Sequence, residues 1–191
     1  MKRVIGFFLF LLLSACAVES TLTQSNLRFF PDDYSFILKA NKAENLWSGM
    51  LSSDRVHKEL VRLSEAVEGI QQQLSGLIPV GAVEIALYPE GRDALSFLAL
   101  STNENLETSF EFDDSLTYDD SAVGVTQVGD QELYYASIEG RSLISNSTLI
   151  LQEALRGKAR FAVDEKVERL YASATAEEVV HLVMKPENSR L

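Results

Sequence analysis

Cysteine is almost absent: Cys16 is the only one in 191 residues. A lone cysteine excludes an intrachain disulfide and a thiolate metal site. Histidine is nearly as scarce. His57 and His181 are the only two, so a histidine metal site would need both to converge with a carboxylate. Basic residues are outnumbered, 17 against 28 acidic, for a net charge of −11. Such a balance argues against nucleic acid, whose phosphates require Lys and Arg. It argues equally against electrostatic docking on anionic lipid. The chain has no His-Glu-x-x-His pair, no Gly-x-Ser-x-Gly elbow and no phosphate-cradling glycine loop. Spacing leaves a Ser-His-Asp triad open, and no residue pattern supports one. The expectation is therefore no catalytic residue, no cofactor and no metal. Repeats and low-complexity tracts are missing as well. The apolar run Val4 to Leu13 falls short of the ~20 residues that span a bilayer.

What is present begins with that run. Met1-Lys2-Arg3 places two positive charges ahead of it, and small residues follow. This is the layout of a secretory signal, in which the positive start stays in the cytoplasm. Leu13-Ser14-Ala15-Cys16 resembles the bacterial lipobox: an aliphatic residue, two small residues and the cysteine. The resemblance implies diacylglycerol transfer to the Cys16 thiol, cleavage before Cys16 and acylation of the new amine. Each buried methylene contributes ~0.8 kcal/mol, so two or three chains anchor a protein firmly. Ala17 follows the cysteine, where enterobacterial lipoproteins kept in the inner membrane carry Asp. That points to the outer membrane.

Cleavage leaves 176 residues. With Lys2 and Arg3 gone, 15 basic residues face 28 acidic ones, a net charge of −13. This is length enough for one domain with a sizeable core. An exported domain without disulfides must rest on that core, and 46% hydrophobic content is ordinary for one. The expected division is 1–15 as signal, 16–28 as lipidated tether and 29–191 as a single domain.

Along the domain, Pro31-Asp32-Asp33 reads as a turn and Tyr34 to Ala40 as a strand. Asn41 is placed to cap a short helix carrying Leu46, Trp47, Met50 and Leu51. Val56, Leu60, Leu63, Val67, Ile70, Leu74 and Leu77 recur at spacings of 4 and 3. That predicts one apolar stripe on a helix of about 24 residues. It fits a coiled-coil seam or a cover for the protein's own sheet. The strands that follow at once favour the cover.

After Pro79 the period becomes two. Strands are expected at Val83 to Tyr88, Ala94 to Ser101, Thr108 to Phe112, Ser115 to Tyr118, Val123 to Val128, Glu132 to Ile138 and Arg141 to Ser145. Pro89 to Asp93, Gly129-Asp130 and Glu139-Gly140 are the turns. Ser145-Asn146-Ser147 should cap a helix over Thr148 to Arg156, stopped at Gly157. A third helix is expected over Asp164 to Ala172, and a last strand over Val179 to Met184. The fold class is α+β: an antiparallel meander covered on one face by a long N-terminal helix and a shorter C-terminal helix.

Glu132 to Ser147, continued by Leu151, Glu153, Ala154 and Leu155, resembles a pattern in Bacteroidetes-type envelope lipoproteins. There a strand, a hairpin and a second strand ending in Ser lead into a capped helix. The resemblance implies an envelope protein with no assigned catalytic residue. It also implies a design longer than 191 residues, of which this chain would be the first module.

Several residues merit weighing for chemistry. His57 reads as a flank of the long helix, and His181 as half-exposed in the last strand. Glu111, Asp113, Asp114, Asp119 and Asp120 fall within ten residues. Clustered carboxylates can supply the about six to eight oxygens calcium takes, yet the spacing lacks the Gly and closing Glu of an EF-hand. Solvated turns flanking a strand, which also blunt a sheet edge, are the preferred reading. Phe110, Phe112, Tyr118, Tyr134 and Tyr135 fit a sugar- or peptide-binding face, or cross-strand packing. Tyr134 and Tyr135 are adjacent, so one should face the helices and the other solvent. Glu84, or Glu111 with Asp113, would be the carboxylates of a glycan hydrolase.

The functional expectation is a membrane-anchored envelope lipoprotein that binds or scaffolds an envelope protein, without enzymatic activity. Exposed apolar surface on the sheet or long helix would support it. The alternatives are a carrier of a small apolar ligand between helix and sheet and an anchored hydrolase of wall or glycan material.

Overall fold

The structure, a computed structural model, describes residues 26–49, 64–78, 81–90, 94–102, 114–157, 165–173 and 181–184. Over these the chain is α+β. A 3-10 turn, Asn26–Phe29, precedes β1 (Phe36–Ala40), α1 (Ala43–Gly49), α2 (Ser64–Leu77), β2 (Val83–Glu90) and β3 (Ala94–Ser101). Then come β4 (Asp114–Tyr118), β5 (Ser121–Val128), β6 (Gln131–Ile138) and β7 (Arg141–Ser145). Helices α3 (Thr148–Arg156) and α4 (Glu165–Ser173) and strand β8 (His181–Met184) complete it. Cys16, the expected tether up to residue 25, Val56, Leu60, Leu63 and the strand expected at 108–112 lie outside the described residues, whereas residues 26–28, expected in the tether, belong to the 3-10 turn, with Leu27 buried.

All eight strands form one sheet in the order β4-β5-β6-β7-β3-β2-β1-β8, antiparallel throughout. The expected meander is therefore corrected. There are two antiparallel runs, β1–β3 and β4–β7, joined where β3 pairs with β7. Ser145 closes the Leu98↔Ser145 pair, and its Oγ donates to the Phe97 carbonyl at 2.5 Å. Asn146 then acts as a side-chain rung. Its Oδ1 accepts from Phe97 N at 2.9 Å and its Nδ2 donates to the Leu95 carbonyl at 3.2 Å. So the Ser145-Asn146-Ser147 segment ties β7 to β3 more than it caps α3. Ser147 occupies the N-cap position without a side-chain cap bond.

The covering is corrected too. The sheet is packed on both faces. Phe36, Leu38, Ile85, Leu87, Phe97, Ala99, Leu133, Tyr135 and Ile144 form one core with Leu46 of α1 and Ile70 and Leu74 of α2. Ile37, Ala86, Tyr88, Leu98, Leu100, Ala136 and Leu143 form another with the 3-10 turn, α3 and Tyr171 of α4. The reason lies in β2 and β3, buried over Val83 to Tyr88 and Leu95 to Ser101. A strand apolar on both faces needs a cover on both sides. Ile70 and Leu74 of the apolar stripe pack on the protein's own sheet; of the expected helix of about 24 residues, the described part is the 14 residues of α2.

Turn chemistry follows the sequence. Glu139 and Gly140 both take positive φ, 53° and 71°, as do Asp119 and Asp120, 44° and 65°. Two consecutive residues at positive φ are what a type I′ hairpin turn requires, and Asp tolerates that region better than most side chains. In Gly129-Asp130 only the glycine does so, at 64°.

Candidate functional site

Among the described residues the sheet ends at β4 on one side and at β8 on the other. The alternation of β4 puts Leu116 and Tyr118 on the α3 side, with Leu116 paired opposite Val123 of β5. Val123 is buried there, whereas Asp114 to Thr117 are exposed. Among the described residues β4 has a strand neighbour on one side only. Leu116 is 46% exposed, and Leu149 of α3 is 60% exposed. These are the two large hydrophobics left in solvent among the described residues. A groove of about 190 Å³ runs between β4 and α3, lined by Leu116, Thr117, Tyr118, Val123, Leu151 and Gln152 along with Thr148.

The groove has a fixed lip. Arg156, in the last turn of α3, donates from Nε to Asp119 Oδ2 at 3.2 Å. Its guanidinium carbon lies 4.7 Å from the centre of the Tyr118 ring. The Tyr118 hydroxyl is shut off from solvent and has no partner among the described residues. A shielded polar group without a partner is destabilising by about 1–3 kcal/mol.

Sequence reading does not single out Leu116, and it counts Leu149 with Ile150, Leu151, Ala154 and Leu155 as available for burial, which its 60% exposure corrects. Leu116 is the one aliphatic residue in Asp113-Asp114-Ser115-Leu116-Thr117-Tyr118-Asp119-Asp120. Leu149 falls off the stripe Ile150, Leu151, Ala154 and Leu155 that α3 buries.

The residues weighed for chemistry are dispersed. His57, Glu111, Asp113, Phe110 and Phe112 lie outside the described residues. His181 pairs by backbone register with Lys39. Asp114, Asp119 and Asp120 are exposed, and Asp119-Asp120 is a hairpin turn. No three His, Cys, Asp or Glu among the described residues are grouped to hold a metal ion. Tyr135 is buried among the helices, while Tyr134 is half-buried and donates to Glu132 Oε2 at 2.7 Å. That bond, more than burial, raises the Tyr134 phenol above its ordinary value.

Glu84 has the most constrained setting. It is 5% exposed. Asn26 Nδ2 donates to its Oε1 at 3.1 Å, and the Tyr171 hydroxyl donates to its Oε2. Arg141 Nε donates to Asn26 Oδ1 at 2.8 Å. Arg28 pairs with Glu139, and Lys39 Nζ lies 4.2 Å from the Tyr171 ring centre. Burial first, then the Glu84 charge and bond, push the Tyr171 phenol far above its ordinary value. It therefore remains a donor. Both carboxylate oxygens are engaged by neutral side chains that fasten the 3-10 turn and α4 to β2. This is the bonding of a structural clamp.

No helix among the described residues is long and apolar enough to cross a membrane. No protein-family model matches the chain, and no characterised protein or solved structure matches it either.

Proposed function

We propose that this chain is a bacterial envelope lipoprotein, anchored through lipid on Cys16, that binds an envelope protein along the β4 edge. Leu13-Ser14-Ala15-Cys16 supports the anchor, and Ala17 supports the outer membrane. The observation that carries the binding role is the apolar groove beside Leu116, on a strand that has one strand neighbour among the described residues. An unpaired edge offers backbone donors and acceptors to an incoming strand, and a pocket beside it selects a side chain. The occupant is an extended segment with one apolar residue for the groove and basic residues for Asp114 and Asp120. The chain's acidic balance supports that choice of charge.

A non-enzymatic role is supported by Glu84, whose oxygens are both committed within the fold. A carrier of a small apolar ligand is the weaker reading: ligand pockets run to ~300–1,000 Å³, the apolar groove holds about 190 Å³, and the larger cleft of about 550 Å³ near Glu90 and Glu132 is polar. Val56, Leu60 and Leu63 continue the spacing of α2, so the same reading takes α2 as the end of one long helix over that face.

Two measurements test this separately. Cys16→Ser should abolish palmitate labelling and release the protein from membranes; persistent labelling would overturn the anchor. Leu116→Asp should remove the protein partner recovered from intact crosslinked cells without shifting the unfolding midpoint. Full recovery of that partner would overturn the surface.

A further inference from the structure

At one end of the sheet, Glu90 of β2, the Gly129-Asp130 turn, Glu132 and Tyr134 of β6 and the start of α3 surround an open polar cleft of about 550 Å³. We propose that this cleft binds a glycan with free hydroxyls, rather than a protein. Three features point to that class. The first is the mixed lining: carboxylates from Glu90, Asp130 and Glu132, hydroxyls from Ser147 and Thr148, and the half-buried Tyr134 ring. Carboxylates accept from sugar hydroxyls, and an aromatic ring gives a sugar an apolar face to lie on. The second is orientation. Ser96 donates to Glu90, and Tyr134 donates to Glu132. Each carboxylate is thereby oriented through one oxygen, its other oxygen carrying no bond among the described residues, which lowers the ordering entropy that binding would otherwise lose. Ser147 makes no cap bond, so its hydroxyl is not committed to α3.

The third feature is position. The chain from Cys16 reaches the described fold at Asn26, and neighbouring Arg28 is pinned to Glu139 in the β6–β7 turn. The cleft opens beside the opposite turn, Gly129-Asp130, at the far end of β6. Eight residues of β6 at ~3.3 Å each separate the two ends by about 26 Å. On the anchored reading, on which this position argument alone rests, the cleft faces away from the membrane, toward wall polysaccharide.

The test is calorimetric titration of the full-length protein in detergent with a tetramer of N-acetylglucosamine. Saturable binding is expected, weakened at least tenfold by Glu132→Gln and by Tyr134→Ala. Glu90→Gln provides a second carboxylate variant should either of those fail to fold. Leu116→Asp should bind the sugar normally. The titration needs no lipid, so its failure leaves the Cys16 labelling result standing, and loss of the anchor leaves the titration standing. No heat of binding would overturn the assignment, as would equal binding by the variants. Binding of a tetralysine peptide in place of the sugar would make the cleft a cationic-peptide site and overturn it too.

Discussion

Two hairpins of one sheet differ in almost every respect. In β2–β3 the residues Val83 to Tyr88 and Leu95 to Ser101 are buried. In β4–β5 only Val123 is buried, and β4 is exposed nearly throughout. The pairing geometry is the same antiparallel ladder in both. What differs is the covering: helices lie over both faces of the first and over part of one face of the second. The first hairpin holds the domain together. The second is largely exposed among the described residues, and carries an exposed leucine, Leu116, where solvation alone would favour a polar residue.

That contrast can be broken in several ways. The largest effect should come from Phe97→Ala in β3, which should reduce stability by about 3–5 kcal/mol. Leu116→Ala in β4 should stay within ~0.5 kcal/mol. Urea unfolding of both variants checks this, and similar losses would dissolve the distinction. Next, Tyr171→Phe leaves Glu84 one donor short and should lower stability by about 1–3 kcal/mol.

The same tyrosine gives a pH signature. Its folded value is raised, as is that of Tyr88, for which burial is the main cause. Above the ordinary tyrosine value of ~10, the unfolded chain loses protons that the folded chain keeps. Their contribution is thus complete below ~pH 10 and is lost as pH rises beyond it. Unfolding midpoints measured from pH 8 to 11 should fall at the alkaline end, less steeply in Tyr171→Phe. An unchanged slope would mean that the phenol is not held in the fold as described. The smallest effect belongs to Arg156→Ala. Its exposed pair with Asp119 and its contact with Tyr118 should contribute under ~1 kcal/mol, and less in high salt.

Much of the fold was legible because local patterns dictate it. The pattern locates Ala94–Ser101, Arg141–Ser145 and Thr148–Arg156 at their observed bounds. The two-residue turns announce themselves through Gly and Asp. The double covering was harder to read. Glu84 interrupts Val83-Glu84-Ile85-Ala86-Leu87-Tyr88 and makes a strand buried on both faces resemble an alternating one. Its partners explain the disguise. Asn26 and Tyr171 lie 58 and 87 residues away, and no local pattern announces such contacts. The candidate site was half-legible for a related reason. Leu116 stands out by composition, but its exposure depends on where β4 falls in the strand order, which is a property of the whole sheet.

The central claim, that the β4 edge is where this protein meets a partner, is most directly tested by site-specific photocrosslinking in living cells. A photoreactive p-benzoylphenylalanine would replace Leu116 and, for comparison, the exposed Glu44 of α1. The expected result is a discrete adduct with one envelope protein from position 116 and none from position 44. No adduct at 116, or the same adducts from both positions, would contradict it.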